Sequence, residues 1–203
     1  MNGILEVLSC QWQVRRRFNM TYPIIALSGP RACGKSTIAE HLVNLHGYTR
    51  VAFADCLRKI AALAGEERIN DRLYLAELGS ELRSLLPDFL LQVVGRRIGS
   101  IDGPVVIEDV RFPSEVEFSR SIGALTIRLE IPVQTQLKRL SKRDGKTGNE
   151  AIMLIECMDE HALPVATEWN QIIPAVGDFQ ELATELHQLA LENSAINAKE
   201  VYF

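Results

Sequence analysis

Five short apolar runs occur along the chain, and longer segments with helical spacing lie between them. The runs are IIALS (24–28), TRVAFAD (49–55), PVVIEDV (104–110), ALTIRLEI (124–131) and NQIIPAV (170–176). The first and third are rich in β-branched residues, which is typical of strands buried on both faces. Because helices separate the strands, we expect right-handed crossovers and a parallel sheet.

The segments between the runs predict where the helices lie. A helix should span Lys35–His46, with Gly47 as its C-terminal stop and with one apolar face made by Ile38, Leu42 and Leu45. A long and mostly helical insertion is expected over about 57–99. The predicted fold class is therefore α/β, a three-layer fold with about five parallel strands flanked by helices.

The C-terminal segment also has helical spacing. Its apolar residues Phe179, Leu182, Leu186 and Leu189 should close the core, although exposed apolar residues there leave a homodimer open. Residues 1–22 fit the rest poorly and are predicted to be an extension that is disordered or that precedes the true start at Met20. A cationic targeting peptide is the alternative reading of this segment.

Composition limits the classes of function. The chain has 203 residues, is 47% hydrophobic and 24% charged, and carries a formal net charge of −4. One globular domain over 23–203 is expected, and a general nucleic-acid or membrane-surface binder is disfavoured, so any phosphate binding must be local. The cysteines are too scattered for a metal site and suggest reduced thiols in a cytoplasmic protein: Cys10, Cys33, Cys56 and Cys157.

The first apolar run is followed by the sequence GPRACGKS, from Gly29 to Ser36, which matches GxxxxGK[ST] between a predicted strand and a predicted helix. Its glycines let backbone N–H groups surround an anion at a helix N-terminus. Lys35 would reach the β- and γ-phosphates of a nucleotide, and the Ser36 hydroxyl would complete a magnesium shell, with Thr37 as a helper. A helix-capping turn with a solvated Lys35 is the alternative.

The third run ends in EDVRFP, which places Asp109 at the carboxyl edge of the sheet. This carboxylate could hold magnesium, and Arg111 could bind a phosphate through two parallel hydrogen bonds. Glu108 should point to the opposite face. The alternatives are a helix N-terminal acid for Asp109 and a surface ion pair for Arg111.

A basic helix follows in VQTQLKRLSKRDGKTG (133–148), where Arg139 and Arg143 lie four residues apart. We interpret the region of about 133–150 as a lid whose arginines stabilise a phosphoryl group during transfer. Its apolar stripe would be Val133, Leu137 and Leu140. A solvated basic helix face is the other possibility.

Several ordered blocks carry a family resemblance: VAFADCLRKIAAL (51–63), LGSELRS (78–84) and DVRFPSEVEF (109–118). With the phosphate loop, they resemble the deoxynucleoside monophosphate kinases of bacteriophage type, within the nucleoside monophosphate kinases of the P-loop NTPase fold. A GTPase is disfavoured, since no NKxD-like or DxxG signature is found. The resemblance covers about residues 24–189 and implies a chain in the host cytoplasm if it is phage-encoded.

The resemblance also implies site residues. Asp55 and Arg58 would lie at the deoxynucleotide acceptor, Glu81 and Arg83 would shape its pocket, and Arg111 would bind its phosphate. ATP and Mg²⁺ would bind through the phosphate loop and the turn after the last strand: Gly29, Arg31, Ala32, Cys33, Gly34, Lys35, Ser36, Thr37 and Gly177. The chain departs from the family pattern at Cys56, which replaces a proline, at Arg58, which replaces a lysine, and at PAVGD (174–178), which lacks an asparagine.

The expected reaction moves the γ-phosphoryl of ATP to the 5′-phosphate of a deoxynucleotide. Such an acceptor is already anionic, so Asp55 would bind the acceptor and would not act as a base. One alternative is a kinase with a hydroxyl acceptor, such as dephospho-coenzyme A kinase, in which Asp55 would be the base. Another is a nucleotide-binding regulator without turnover. Three arginines on the acceptor side, Arg58, Arg83 and Arg111, favour an acceptor that carries a phosphate.

Overall fold

A five-stranded parallel sheet forms the centre of the computed structural model, which describes residues 22–145, 147–156, 162–164 and 166–200. The strand order is β2-β3-β1-β4-β5, so β1 lies between β3 and β4. The strands are β1 (Ile24–Ser28), β2 (Thr49–Val51), β3 (Val105–Val110), β4 (Leu125–Glu130) and β5 (Gln171–Pro174). The predicted fold class is confirmed. The predicted extension lies outside the described residues except for Tyr22.

Helices cover both faces of this sheet. Within the described ranges they are α1 (Lys35–His46), α2 (Phe53–Ala64), α3 (Arg72–Leu85), α4 (Phe89–Ile98), α5 (Pro113–Ser121), α6 (Val133–Asp144), α7 (Gly148–Ile155) and α8 (Phe179–Glu200), with a 3₁₀ turn at Glu66–Arg68. Alternate residues of β1 point to opposite layers. Ile25 and Leu27 pack with α1 and α8, whereas Ile24 and Ala26 pack with α2, α4 and α5.

Helix α1 has the predicted bounds, because its C-terminal signal is local. Gly47 adopts the left-handed conformation, with φ of 68°, and its N–H donates to the carbonyls of Leu42 and Val43. Ile38 and Leu42 are fully buried, as expected, but Leu45 is about half exposed. The third apolar position of the predicted face is thus outside the core.

The prediction for the second strand was wrong beyond Val51. Helix α2 begins at Phe53, so the helical insertion starts before residue 57. The cause is a contact distant in sequence: the Asp109 carboxylate, at the end of β3, accepts hydrogen bonds from the amides of Phe53 and Ala54 at 2.7 and 2.8 Å. Because two helix N-terminal N–H groups are satisfied by another strand, the local sequence does not mark this helix start.

Helix α8 closes the core as expected, since Leu182 and Leu186 are buried against the first layer. In the predicted lid, α6 buries Leu140 but leaves Val133 exposed, so the proposed apolar stripe is buried at one end only. No helix in the described part of the chain is long and apolar enough to cross a membrane.

Candidate functional site

A cleft of about 960 Å³ opens at the carboxyl edge of the sheet, where β1 and β3 end. It is lined by the loop after β1, by α2, α3 and α6, and by the residues between β3 and α5. Its described lining includes ten cationic side chains and three acidic ones, although the chain as a whole is acidic. The cations are Arg31, Lys35, Arg50, Arg58, Arg72, Arg83, Arg111, Arg139, Lys142 and Arg143, and the acids are Glu108, Asp109 and Glu115.

The loop between β1 and α1 has the shape of a phosphate loop. Its backbone turns through positive φ angles at Gly29, Ala32 and Gly34, of 137°, 59° and 111°. A Cβ on Gly29 would collide with the carbonyl oxygen of Leu129, and a Cβ on Gly34 would lie 2.6 Å from Cζ of Phe179. The glycines are therefore needed for both conformation and space, and the predicted strand–loop–helix context is confirmed.

Lys35 lies across this loop and is largely buried. Its ammonium donates to the carbonyls of Gly29 and Pro30 at 2.6 and 2.9 Å, and its Nζ lies 3.7 Å from Sγ of Cys33. These contacts place a positive charge among the loop's backbone groups, in addition to the positive end of the α1 dipole. The arrangement provides a compact anion site at the start of the helix.

Glu108 and Asp109 point to opposite faces of the sheet, as strand alternation predicts, but the face toward the phosphate loop is that of Glu108. Its Oε1 accepts a hydrogen bond from Oγ of Ser36 at 2.5 Å, and its Oε2 is paired with Nε of Arg50. Val106, two residues before Glu108, packs with α1 and α8, so alternation brings Glu108 to the same side of the sheet. The register of β3 changes only after this point, since Ala26 pairs with Ile107 but Ser28 pairs with Val110, and this bulge returns Val110 to the layer of Ile107.

Asp109 lies beside Glu108 but points toward α2. Each of its oxygens accepts one backbone N–H, from Phe53 and from Ala54. Burial raises the pKa of Asp109 above its ordinary value, although the two amides favour the charged form. Asp109 therefore caps the start of α2 in this structure, which is the alternative to a metal-binding role that the sequence left open.

In the first turn of α2, Asp55 lies between two arginines. Its Oδ2 accepts from Arg50 and its Oδ1 from Arg58, both at 3.0 Å. Arg50 also contacts Glu108, so a continuous chain of hydrogen bonds runs from Arg58 through Asp55, Arg50 and Glu108 to Ser36. This chain connects the first turn of α2 to the phosphate loop.

A second charged group surrounds Glu115, which is almost fully buried. Its Oε1 accepts from Arg83 at 2.8 Å, and its Oε2 accepts from the amides of Arg111 and Phe112 at 2.8 and 3.1 Å. The Arg83 guanidinium also lies 3.7 Å from the centroid of the Phe112 ring. Burial raises the pKa of Glu115, and the neighbouring Asp109 charge adds to the increase. Two of the predicted acceptor-side arginines, Arg83 and Arg111, are thus positioned through Glu115.

The predicted lid helix, α6, lies directly against the phosphate loop. Arg139 donates to the carbonyls of Cys33 at 2.9 Å, Ala175 at 3.0 Å and, more weakly, Ala32 at 3.4 Å. Its guanidinium carbon lies 5.2 Å from the centroid of the Phe179 ring. The buried Gln136 donates to the carbonyl of Arg31 at 2.9 Å. The structure brings both arginines to the cleft lining, and Arg139 also binds the backbone of the loop.

The structure brings most of the predicted site residues to one cleft. Those on its lining are Arg31, Ala32, Gly34, Lys35, Ser36, Thr37, Arg58, Arg83, Asp109, Arg111, Arg139 and Arg143. The predicted residues that are not on the lining are Gly29, Cys33, Asp55, Glu81 and Gly177. Three of them contact lining residues, since Gly29 and Cys33 contact Lys35, and Asp55 contacts Arg58. Glu81 is exposed on α3, and Gly177 follows β5 with φ of 86°.

Sequence reasoning missed Arg50 and Glu115. Arg50 lies in a short strand where an isolated charge carries no local signal. Glu115 stands at the third residue of α5, a position at which glutamate often binds the N–H before the helix, and this pattern could have drawn attention to it. It also missed Asn70, Arg72 and Lys142, which line the cleft.

The residues at the loop fit a magnesium–nucleotide complex. In the described part of the chain, no three His, Cys, Asp or Glu side chains form a metal site on their own. Mg²⁺ retains several waters and binds one or two protein oxygens together with substrate phosphates, so a hydroxyl beside one carboxylate suffices. Ser36 and Glu108 provide this pair of donors.

Comparisons by sequence identify partial relatives. No protein-family model matches the chain. It is 31% identical over 117 residues to the uncharacterized protein ORF76 of Ictalurid herpesvirus 1 (strain Auburn), which covers 54% of this chain and 48% of that protein. It is 28% identical over 126 residues to a cytidylate kinase of Pelodictyon phaeoclathratiforme, which covers 61% and 50%. The chain thus spans about half the length of the curated relatives it matches.

Solved structures show the fold. A gluconokinase from Sinorhizobium meliloti 1021 has a TM-score of 0.54 at 18% identity, over 91% of this chain and 97% of that one. TT1252 from Thermus thermophilus has a TM-score of 0.58 at 18% identity, over 84% and 98%. Shikimate kinase from Aquifex aeolicus has a TM-score of 0.50 at 18% identity, over 85% and 98%. With its sheet order and phosphate loop, the chain has the fold of the P-loop small-molecule kinases.

Proposed function

We propose that the protein transfers the γ-phosphoryl group of ATP to the 5′-phosphate of a deoxynucleoside monophosphate, giving ADP and a deoxynucleoside diphosphate. The observation that carries this proposal is that Arg58, Arg83 and Arg111 line the same cleft as the phosphate loop. Partial similarity to a cytidylate kinase and the family resemblance of the sequence blocks support a nucleoside monophosphate as the acceptor.

On the donor side, Lys35 and the N–H groups at the start of α1 bind the β- and γ-phosphates. The loop carbonyls that now accept hydrogen bonds from Lys35 belong to the same loop, so a short movement of its ammonium brings it to a phosphate. Bound Mg²⁺ would neutralise charge on the phosphate oxygens. Ser36 supplies a hydroxyl next to this position.

On the acceptor side, the arginines hold the incoming monophosphate in line with the γ-phosphate. Arg111 is fixed at its backbone by Glu115, and Arg83 is held between Glu115 and the Phe112 ring. A phosphate acceptor is already an anion at neutral pH. Catalysis therefore consists of positioning and charge neutralisation and needs no general base.

The lid would complete the site. Arg143 lines the cleft near the phosphate loop and is exposed, so it can reach the transferred group when the donor binds. A contact between Arg139 and the transferred group stays a prediction, since Arg139 binds loop carbonyls in this structure. Exclusion of water by the lid should keep ATP hydrolysis low in the absence of an acceptor.

A kinase with a hydroxyl acceptor would require a carboxylate that can take the acceptor's proton. Asp55 was the candidate, but both of its oxygens accept hydrogen bonds from guanidinium groups. This environment suits a residue that orients arginines, and it leaves the proposed phosphate acceptor as the better match to the acceptor side.

The test is a coupled assay of ADP formation with ATP, Mg²⁺ and each of the four deoxynucleoside monophosphates. Shikimate and gluconate serve as hydroxyl acceptors, and a reaction without acceptor measures hydrolysis. Lys35→Ala should abolish turnover. Lys138→Ala, an exposed residue of α6 outside the cleft lining, is the matched control and should keep it.

ADP formation that requires a deoxynucleotide and that is lost in Lys35→Ala would support the proposal and give the base preference. Turnover with a hydroxyl acceptor alone would contradict it. Nucleotide binding without any turnover would instead favour a regulatory protein.

A further inference from the structure

We propose that Arg50 couples the two substrate sites of the cleft. When the donor nucleotide binds next to Glu108, Arg50 pairs more closely with Asp55. Asp55 then releases Arg58 to the phosphate of the acceptor. This inference rests on the proposed function, because it requires a nucleotide on the phosphate loop and a monophosphate at Arg58. Arg50 is a positioning residue in it and acts through Asp55.

The guanidinium of Arg50 lies between the donor side of the cleft and helix α2. Its Nε is paired with Oε2 of Glu108, and its Nη1 donates to Oδ2 of Asp55 at 3.0 Å. The other oxygen of Glu108 accepts from the Ser36 hydroxyl, so this carboxylate lies beside the phosphate loop. One arginine therefore shares its charge between a carboxylate at the donor site and a carboxylate in the first turn of α2.

Asp55 is shared in the same way, between two arginines. Its Oδ1 accepts from Nη1 of Arg58 at 3.0 Å, while its Oδ2 is taken by Arg50. Both arginines line the cleft, whereas Asp55 lies outside the lining. An arginine next to a carboxylate attracts a phosphate less strongly than an arginine without one, because the two charges partly cancel. Asp55 therefore controls how much positive charge Arg58 offers to an acceptor.

The ion pairs around Asp55 are weak enough to exchange. The side chains of Arg50, Asp55 and Arg58 are 38%, 39% and 41% exposed, and ion pairs with this access to water contribute little to stability. A donor nucleotide bound with Mg²⁺ beside Ser36 competes with Arg50 for Glu108. Arg50 then keeps Asp55 as its partner, and this closer pair weakens the hold of Asp55 on Arg58.

This exchange predicts that the donor tightens binding of the acceptor. Linkage requires that the acceptor tighten binding of the donor by the same factor. The two bound anions also repel each other directly, but this repulsion is common to the wild type and to variants at Arg50 or Asp55. A comparison of the factor between them isolates the part that passes through Arg50.

The experiment measures this coupling factor by calorimetry on the full-length protein and does not depend on turnover. The ligand is whichever of the four deoxynucleoside monophosphates binds most tightly. Its dissociation constant is determined without a donor and with saturating adenylyl imidodiphosphate and Mg²⁺, and the ratio of the two constants is the coupling factor. The melting temperature of each variant shows that it is folded.

Two substitutions should each lower the coupling factor by about fivefold or more, in opposite ways. Arg50→Gln leaves Arg58 as the partner of Asp55, so the acceptor should bind weakly with and without the donor analogue. Asp55→Asn releases Arg58 permanently, so the acceptor should bind without the analogue about as tightly as it binds the wild type with it. Arg50→Lys keeps the charge but lacks the planar fork that reaches two carboxylates, so it should restore part of the factor.

Arg68→Gln is the matched control. Arg68 pairs with Asp71 at 3.0 Å, three residues away, which is the spacing of Asp55 and Arg58. It is exposed and lies outside the cleft lining. This variant should keep the wild-type coupling factor.

The inference is overturned if Arg50→Gln keeps the wild-type factor. It is also overturned if Asp55→Asn weakens acceptor binding equally with and without the analogue, since Asp55 would then bind the acceptor directly. A protein that phosphorylates a deoxynucleotide with a factor independent of Arg50 would keep the proposed function and refute the coupling. An Arg50-dependent factor without ADP formation would do the reverse, and a failure of all four monophosphates to bind would overturn both.

Discussion

Replacing Arg139 with methionine tests whether this side chain supports the phosphate loop or reaches the transferred phosphoryl group. Methionine keeps much of the apolar stem and removes the guanidinium. In the wild type, that group donates to the carbonyls of Cys33 and Ala175 at 2.9 and 3.0 Å and lies over the Phe179 ring. The substitution therefore removes a bridge between the loop and the residue after β5.

The expected loss of stability follows from these contacts. Each hydrogen bond from a charged donor contributes about 1.5–3 kcal/mol when buried, and the contact with the ring adds about 0.5–1 kcal/mol. Arg139 is only partly buried, so hydrogen bonds to water offset part of the lost contacts in the variant. We therefore expect the free energy of unfolding to fall by about 2–4 kcal/mol. For a domain of this size, the melting temperature should fall by about 5–15 °C.

The assay combines thermal melting with steady-state kinetics for ATP and the preferred acceptor. A supporting role predicts that Arg139→Met lowers the melting temperature and raises KM for ATP, since the loop loses its preorganised shape. Arg143→Met is the comparison: Arg143 is exposed, so the melting temperature should stay within about 2 °C while kcat falls by about 10³-fold. The reasoning is refuted if Arg139→Met melts like the wild type, keeps its KM and loses kcat to the same extent as Arg143→Met.

Three further substitutions test other parts of the structure. Gly34→Ala should weaken nucleotide binding at least about tenfold in calorimetry. Its φ of 111° costs about 1–2 kcal/mol for alanine, and the new Cβ would lie 2.6 Å from Cζ of Phe179, so the loop would have to change shape. Wild-type affinity in this variant would contradict the prediction. Glu115→Gln tests linkage: burial raises the folded-state pKa of Glu115 above 4.5, so the wild type loses stability as pH rises from about 4.5 through the raised value. The melting temperature of the variant minus that of the wild type should therefore become more positive over that range, since glutamine does not titrate, and a constant difference would count against the buried charge. Asn170→Ala should lower the free energy of unfolding by about 1–3 kcal/mol in chemical denaturation, because the Asn170 side chain accepts hydrogen bonds from both N and Oγ1 of the buried Thr126. Asn44→Ala, on the exposed side of α1, is the control and should change this free energy little.

Features set by neighbouring residues could be predicted from the sequence. The phosphate loop was predictable because its glycines, lysine and serine are consecutive and lie between an apolar strand and an amphipathic helix. The end of α1 at Gly47 was equally local, since the left-handed conformation of one residue terminates the helix. The order of strands and helices followed from apolar runs alone, and it indicated a parallel sheet.

Features set by contacts between distant segments could not be predicted in this way. Helix α2 starts at Phe53 because a carboxylate more than fifty residues later caps it, and neither segment shows this alone. Alternation along β3 separates Glu108 from Asp109, but which of the two faces the phosphate loop depends on which side of the sheet α1 and α2 occupy. Glu115 gains its place in the site only when α3 brings Arg83 beside it.

The charge distribution of the cleft bears on the choice of acceptor. Each of its three acids is already bound to protein groups: Glu108 to Arg50 and Ser36, Glu115 to Arg83 and two amides, and Asp109 to two amides. These acids balance only part of the charge of the ten cations, and like charges gathered in one cleft repel each other. A nucleoside triphosphate on the loop side would compensate much of the excess, because five of the ten cations belong to the phosphate loop, α1 and α6, whereas Arg58 and Arg83 already pair with Asp55 and Glu115. The proposed monophosphate acceptor would share Arg58 and Arg83 with these acids, so its binding would depend on how the two arginines are oriented more than on uncompensated charge.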